Sequence, residues 1–231
     1  MIIETLLYWL AFLVLGSYVT IRLNLKVNNS TSIPKGAKIL TANHPSVSDP
    51  FLLSMVLRQY SHILIAEEVF NIRPFGRLLR RMGFICVEKA SGRPAFERSI
   101  EALYNGHNVM LFPEGEISPM EGGFSEPHTG AARLAIATGA PIIPAGIHIQ
   151  RTRIKTLKMV SGDKEVPAHW YFNGPYTITF GEPMYFHGDV EDRDYVREVT
   201  RTIMAEIERL AAISEAQMNA QLAPNFSRLA G

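Results

Sequence analysis

At 231 residues the chain is long enough for one sizeable domain with its own core plus an appendage. A formal net charge of +1 excludes the strongly basic footprint of a nucleic-acid binder, and 47% hydrophobic against 19% charged residues fits a globular protein carrying an apolar segment. The single cysteine, Cys86, excludes an intramolecular disulfide and reads as a small hydrophobe inside the apolar run FICV.

The first element is TLLYWLAFLVLGSYVTI, residues 5–21, which carries no charge. As a helix it spans about 25 Å, slightly short of a hydrocarbon layer of ~30 Å. Glu4 ahead of it argues against a cleaved secretory signal. Arg22, Lys26, Lys35 and Lys38 follow, so if the segment spans, the positive-inside tendency puts the rest of the chain on the cytoplasmic side. Residues 1–26 are expected to form a membrane-anchoring helix.

Short apolar runs then alternate with helical patterns. KILTA (38–42), HILIA (62–66), FICV (84–87), NVMLF (108–112) and PIIPAGIHI (141–149) read as strands, and 50–59, 74–82, 93–104 and 130–138 as helices. This alternation predicts an α/β domain with a largely parallel central sheet flanked by helices, over residues 27–214. Pro141 and Pro144 inside one strand pattern point to an edge or irregular strand that walls an apolar groove. Residues 176–180 offer one more strand. A last helix is expected over 192–215, where Val196, Val199, Ile203, Ile207 and Leu210 form one apolar stripe, and residues 215–231 as a loosely held tail.

The stretch NHPSVSD (43–49) carries the first chemical signal. Pro45 keeps His44 extended at the end of a strand, and Asp49-Pro50 is a strong helix start with Asp at the N-cap. The five-residue spacing crosses a strand-to-helix turn, which is able to fold the carboxylate back onto the imidazole at the carboxyl end of a strand, where open α/β sheets place their sites. A carboxylate on one ring nitrogen fixes the tautomer and leaves the other free to accept a proton. The same spacing recurs from His187 to Asp192, in a polar segment ahead of the last helix, and there a helix cap is the better reading. The second signal is LFPEGEISP (111–119), which delivers Glu114 to the same sheet edge beside Gly115, a residue suited to positive φ or close backbone approach. No G-x-S-x-G, G-x-G-x-x-G, Walker A or H-E-x-x-H pattern is present, and the seven histidines are scattered singly.

NH-x-x-x-x-D, FPEG, TGAARLAIATGAP and PIIPAGI, in that order between 39 and 149, resemble the glycerolipid acyltransferase family typified by 1-acylglycerol-3-phosphate acyltransferase. The resemblance implies an acyltransferase of phospholipid biosynthesis, using acyl-CoA or an acyl carrier protein thioester as co-substrate, a membrane lipid as acceptor and no further cofactor. His44 is then the general base and Asp49 its orienting partner. Glu114 and Gly115 hold the acceptor, and Pro144 lies near the acyl donor. Lys89 and Arg93 fall where the family often carries Asp-Arg, and are expected to take part in substrate binding. The chain departs from the family in two further places. Glu116 and Ile117 follow FPEG where Thr-Arg is usual, and Glu67 and Glu68 stand where a lysine is more usual. A carboxylate about 4 Å from a phosphate costs on the order of 4 kcal/mol near a protein surface. Two basic clusters offset this: Arg73, Arg77, Arg80 and Arg81 on a short helix, suited to anionic headgroups or an acidic carrier protein, and Arg151, Arg153 and Lys155, expected on one face of a strand. A sugar lipid, an amine-bearing lyso-lipid or another polyol is the alternative acceptor, and a non-catalytic lipid-binding protein of the same fold is the alternative class.

Overall fold

The computed structural model describes residues 22–29, 33–161 and 164–223, together with positions 10, 13 and 16. In β1 (Leu23–Asn29) Leu23 and Leu25 turn to the core while Asn24 and Lys26 stay in solvent, the period of two that a half-buried strand requires. β2 (Ile39–Ala42), β3 (Ser61–Ala66), β4 (Ile85–Val87), β5 (Asn108–Leu111) and β6 (Ile142–Ile149) run parallel to one another in the order β4-β3-β5-β2-β6. A separate antiparallel hairpin, β7 (Ile154–Ser161) and β8 (Lys164–Tyr171), comes next. β9 (Gly174–Phe180) then joins β6 antiparallel, and β1 pairs parallel with β9 to complete a seven-stranded sheet. The protein is therefore α/β with a mostly parallel sheet, as the alternation of elements predicts.

Helices cover both faces. Leu52, Leu53 and Leu57 of α1 (Asp49–Leu57), Phe70 of the short α2 (Glu67–Phe70) and Leu79 of α3 (Phe75–Arg81) pack on one face with Leu40 and Met110. α4 (Arg93–Tyr104), α5 (Gly130–Thr138) and α6 (Arg193–Leu222) cover the other, where Leu103, Leu134 and Ile207 meet Ile39 and Val109. Consecutive strand residues thus feed opposite cores. The chain leaves β2 toward α1 on the first face and leaves the neighbouring β5 toward α5 on the second. The two connections diverge at the carboxyl ends of these paired strands, the topological switch point where open α/β sheets have their crevice.

The structure revises three expectations. Residues 23–26 belong to the sheet rather than to the anchor, because LNLKVNN alternates and pairs with β9. Most of the rest of the expected anchor lies outside the described residues, and no described helix is long and apolar enough to cross a membrane. α6 continues to Leu222 instead of ending near 215, because the apolar stripe extends through Ala211 and Ser214 to Met218, which is buried on the core; residues 224–231 of the expected tail are not among those described. β6, expected at an edge or as an irregular strand, is interior and irregular at Pro144. Pro144 is tolerated there because β9 ends at Phe180, so its missing N–H falls between that end and the isolated bridge of Ile142 to Met184.

Candidate functional site

At the end of β2 the Asn43 side chain takes over the ladder. Its Oδ1 accepts from Ile147 N at 2.7 Å and its Nδ2 donates to Ile147 O at 2.9 Å, which fixes where His44 leaves the sheet. The turn closes with Asp49 N donating to Ser46 O at 3.1 Å. The His44 ring is half-buried and stacks on Phe112, from the end of β5, with centroids 4.1 Å apart. Its Nδ1 lies 3.0 Å from Asp49 Oδ2. An ionised carboxylate only accepts, so Nδ1 carries the proton and Nε2 is the basic nitrogen. Nε2 has no hydrogen-bond partner among the described residues.

Asp49 is the first residue of α1, and its side chain caps nothing. Both oxygens turn back toward the strand. Oδ2 accepts from Ser46 N at 2.7 Å as well as from His44, while Oδ1 accepts from Ser46 Oγ at 2.7 Å and from Tyr176 OH at 2.6 Å. A carboxylate with 0% exposure requires such compensation, and these donors provide it. Burial, and then the adjacent Asp49 charge, keep the Tyr176 phenol protonated well above the usual tyrosine range, so it remains a donor at any working pH. The flanking turn is held from β8, where His169 O accepts from Val47 N at 2.8 Å and Tyr171 N donates to Ser48 Oγ at 3.2 Å.

Glu114 reaches the same crevice but faces inward, with 2% exposure. Its Oε1 accepts from His44 N at 3.0 Å and Ser118 Oγ at 2.7 Å, and its Oε2 from Ser125 N at 2.8 Å. Ser118 N returns to His44 O at 2.8 Å. The carboxylate ties the backbone of His44 to the loop after FPEG through both of its oxygens. Gly115 has φ +70, and a Cβ there would meet His128 Cδ2 at 2.6 Å, so the turn requires glycine on both counts.

The other expected substrate residues lie elsewhere. Pro144 is buried in β6 beside Thr41, with its carbonyl accepting from Gly181 N at 2.9 Å. Lys89 lies beyond the end of edge strand β4, pairs with Glu68 and donates its N–H to Glu67 at 3.1 Å. Arg93 pairs with Glu97 at 2.8 Å on the surface of α4. The acids at 67 and 68 and the base at 89, both departures from the family pattern, therefore meet and neutralise one another. Neither Lys89 nor Arg93 joins the histidine. Arg151 and Arg153 form a 3-10 turn rather than part of a strand, so they do not share one face with Lys155. Arg151, at the carboxyl end of β6 beside β2, donates to Pro119 O in the loop after FPEG.

A family model described as Acyltransferase matches residues 24–148. The chain belongs to the Acyltransferase family. The matched span runs from β1 into β6 and contains His44, Asp49, Glu114, Gly115 and Pro144, but stops before Tyr176, which sequence reasoning also missed. No curated protein matches the acyltransferase in sequence. Among solved structures it resembles the 1-acyl-sn-glycerophosphate (LPA) acyltransferase PlsC from Thermotoga maritima, with 22% identity and a TM-score of 0.57 over 87% of this chain and 78% of that one. At that identity the likeness speaks for the fold.

Proposed function

We propose that the acyltransferase moves a fatty acyl group from an acyl thioester, on coenzyme A or an acyl carrier protein, to the hydroxyl of a lyso-glycerolipid at the cytoplasmic face of a membrane. The observation that carries this reading is His44: Nδ1 is held by a buried carboxylate, and Nε2 is free at the mouth of a sheet crevice. The acceptor O–H gives its proton to His44 Nε2, and its oxygen attacks the thioester carbonyl. The tetrahedral intermediate collapses by breaking the C–S bond, and the leaving thiolate takes the proton from the imidazolium. Asp49 stabilises the transient positive charge without itself being protonated. A thioester carries its own activated acyl group, so this reaction draws on no cofactor.

The name of the Thermotoga relative and the order of the motifs favour 1-acylglycerol-3-phosphate as acceptor. A second reading, a lyso-lipid without phosphate, is favoured by the pairing of Lys89 with Glu68 and Arg93 with Glu97, which leaves neither cation for a phosphate at His44. Thiol release from an acyl-CoA and an acyl carrier protein thioester, with lysophosphatidic acid beside phosphate-free lyso-lipids, tests both. Acceptor-dependent release that disappears in His44→Ala supports the mechanism, and the preferred acceptor decides between the readings. A variant as active as wild type would refute the base assignment and favour a non-catalytic lipid-binding protein.

A further inference from the structure

Away from the crevice, the outer face of α3 combines cations and apolar groups with no acid among them. Arg73, Arg77 and Arg81 are exposed, and none has an ion-pair or hydrogen-bond partner among the described residues. Arg80 differs: its guanidinium sits 5.0 Å over the Phe70 ring and donates to Phe70 O at 3.2 Å. Leu78 is 40% exposed, although Gly76 and Leu79 on the inner face are buried. Pro74, Phe75, Arg77, Leu78 and Arg81 line a depression of about 630 Å³. Exposed arginines beside aliphatic surface combine the two properties that an anionic lipid surface engages.

Two contacts say what covers this face. The Phe75 ring lies 6.3 Å from that of Phe51, which is in the first turn of α1 two residues after Asp49. A Cβ at Gly16 would reach Met55 Cε of α1 at 3.5 Å, and Leu10 and Leu13, earlier in the chain, are 60% and 68% exposed. Exposed leucines at positions 10, 13 and 78 thus accompany the unpaired arginines. An acidic protein satisfies the arginines but leaves the leucines in water. An anionic bilayer satisfies both, with phosphates for the guanidiniums and an apolar layer for the leucines. The net charge of +1 makes the attraction local to this patch.

We propose that the outer face of α3 and the turn before it, through Arg77, Leu78 and Arg81 on the helix and Arg73 in the turn, dock the acyltransferase on an anionic lipid surface and hold the first turn of α1, with Asp49, close to the bilayer. The proposal rests on the reading of a lipid acceptor at a membrane. Flotation of the full chain with phosphatidylcholine vesicles, with and without phosphatidylglycerol, tests it in wild type, in the triple variant Arg73→Gln, Arg77→Gln, Arg81→Gln, and in Leu78→Gln. Each arginine at an anionic surface contributes roughly fivefold to partitioning, so the triple variant is expected to lose on the order of 100-fold on phosphatidylglycerol vesicles. Its turnover of a short-chain, monomeric acceptor is expected to be unchanged, which shows that it is folded. Leu78→Gln is expected to weaken binding to both kinds of vesicle. If wild type binds vesicles and the triple variant binds them equally, the docking surface is refuted while the membrane reading stands. If wild type binds neither vesicle, both fail. A triple variant that keeps its vesicle affinity but loses turnover with an acyl carrier protein donor overturns the lipid assignment in favour of an acidic protein.

Discussion

Replacing Tyr176 by phenylalanine removes one oxygen from the interior and leaves the ring beside Tyr171, whose centroid is 6.0 Å away. The lost hydroxyl donates to Asp49 Oδ1 at 2.6 Å. A hydrogen bond to a charged group contributes about 1.5–3 kcal/mol, and at this chain length each kcal/mol moves Tm by roughly 2–4 °C, so a fall of about 3–12 °C is expected. The catalytic effect has a definite sign. Asp49 keeps Ser46 and His44 as partners, but with one donor fewer it holds the His44 imidazolium more tightly. A base must be neutral to take a proton, so the acid limb of the kcat/KM profile is expected to move to higher pH. The plateau falls less than about tenfold because Ser46 still holds the carboxylate. The stability difference has its own pH dependence. The folded-state phenol titrates above its unfolded value, so its contribution is complete below pH 10.0 and fades as the pH rises toward the folded value. The assays are calorimetry from neutral to alkaline pH and a pH–rate profile. A lowered Tm with an unmoved acid limb would show that Tyr176 only fills space near Asp49, and the reasoning about charge sharing would be wrong.

Glu114→Gln places an N–H group against a donor, either Ser125 N or the pair of His44 N and Ser118 Oγ; kcat is expected to fall roughly 10–100-fold with acceptor KM unchanged. A raised KM at intact kcat would instead put Glu114 on the acceptor. Gly146→Ala sets a Cβ 2.0 Å from Ala211 N, where α6 backbone lies directly on β6; a loss of about 3 kcal/mol or more is expected, read as a lowered Tm or failure to recover folded protein. Lys38 is 1% exposed and donates to Gly36 O, Gln59 Oε1 and Asn108 Oδ1 at 2.6, 2.7 and 3.0 Å, with no carboxylate partner. Lys38→Met is expected to cost about 1–3 kcal/mol in urea unfolding through the acceptors it abandons. Burial lowers the Lys38 pKa, so the unfolded chain binds more protons between the folded value and 10.5; wild type therefore gains stability from this site as pH rises through that window, and the methionine variant does not.

The elements that position the site were legible because strong local signals agreed with the tertiary outcome. β2 and β5 are buried along their whole length and β6 nearly so, and their continuous apolar runs carry that burial in the sequence itself. Pro45 and Pro50 mark the turn that folds Asp49 back. Tyr176 was not legible. It shares its strand face with Ile178 and Phe180, all three in one core, and alternation treats them alike; only the register of β9 against β6 brings one hydroxyl to a carboxylate 127 residues earlier. For Glu114 the sequence marks the sheet edge but not the direction in which the carboxylate faces. Its orientation depends on the path of a loop that brings Ser118 and Ser125 to it, and nothing local in FPEGEISP encodes that path. The β7–β8 hairpin escaped notice for the opposite reason. Its strand IKTLKMVS is exposed along most of its length, so no buried face imposes a pattern.

The second His-x-x-x-x-Asp shows what separates a carboxylate that holds its histidine from one that does not. Asp192 also stands at the start of a helix, and its Oδ1 accepts from Asp194 N and Tyr195 N at 3.1 Å each, so the carboxylate looks forward and caps α6. His187 is exposed, and its carbonyl rather than its ring is engaged, by Tyr195 OH at 2.9 Å. At Asp49 the next residue is Pro50, which has no N–H, and the donors lie behind it in Ser46 and across the sheet in Tyr176. A carboxylate turns to wherever donors are concentrated, because leaving it unpaired in a buried turn costs more than any rotamer preference. The spacing of five is common to both motifs. The direction in which the carboxylate finds its donors decides that one of them holds an imidazole and the other holds a helix.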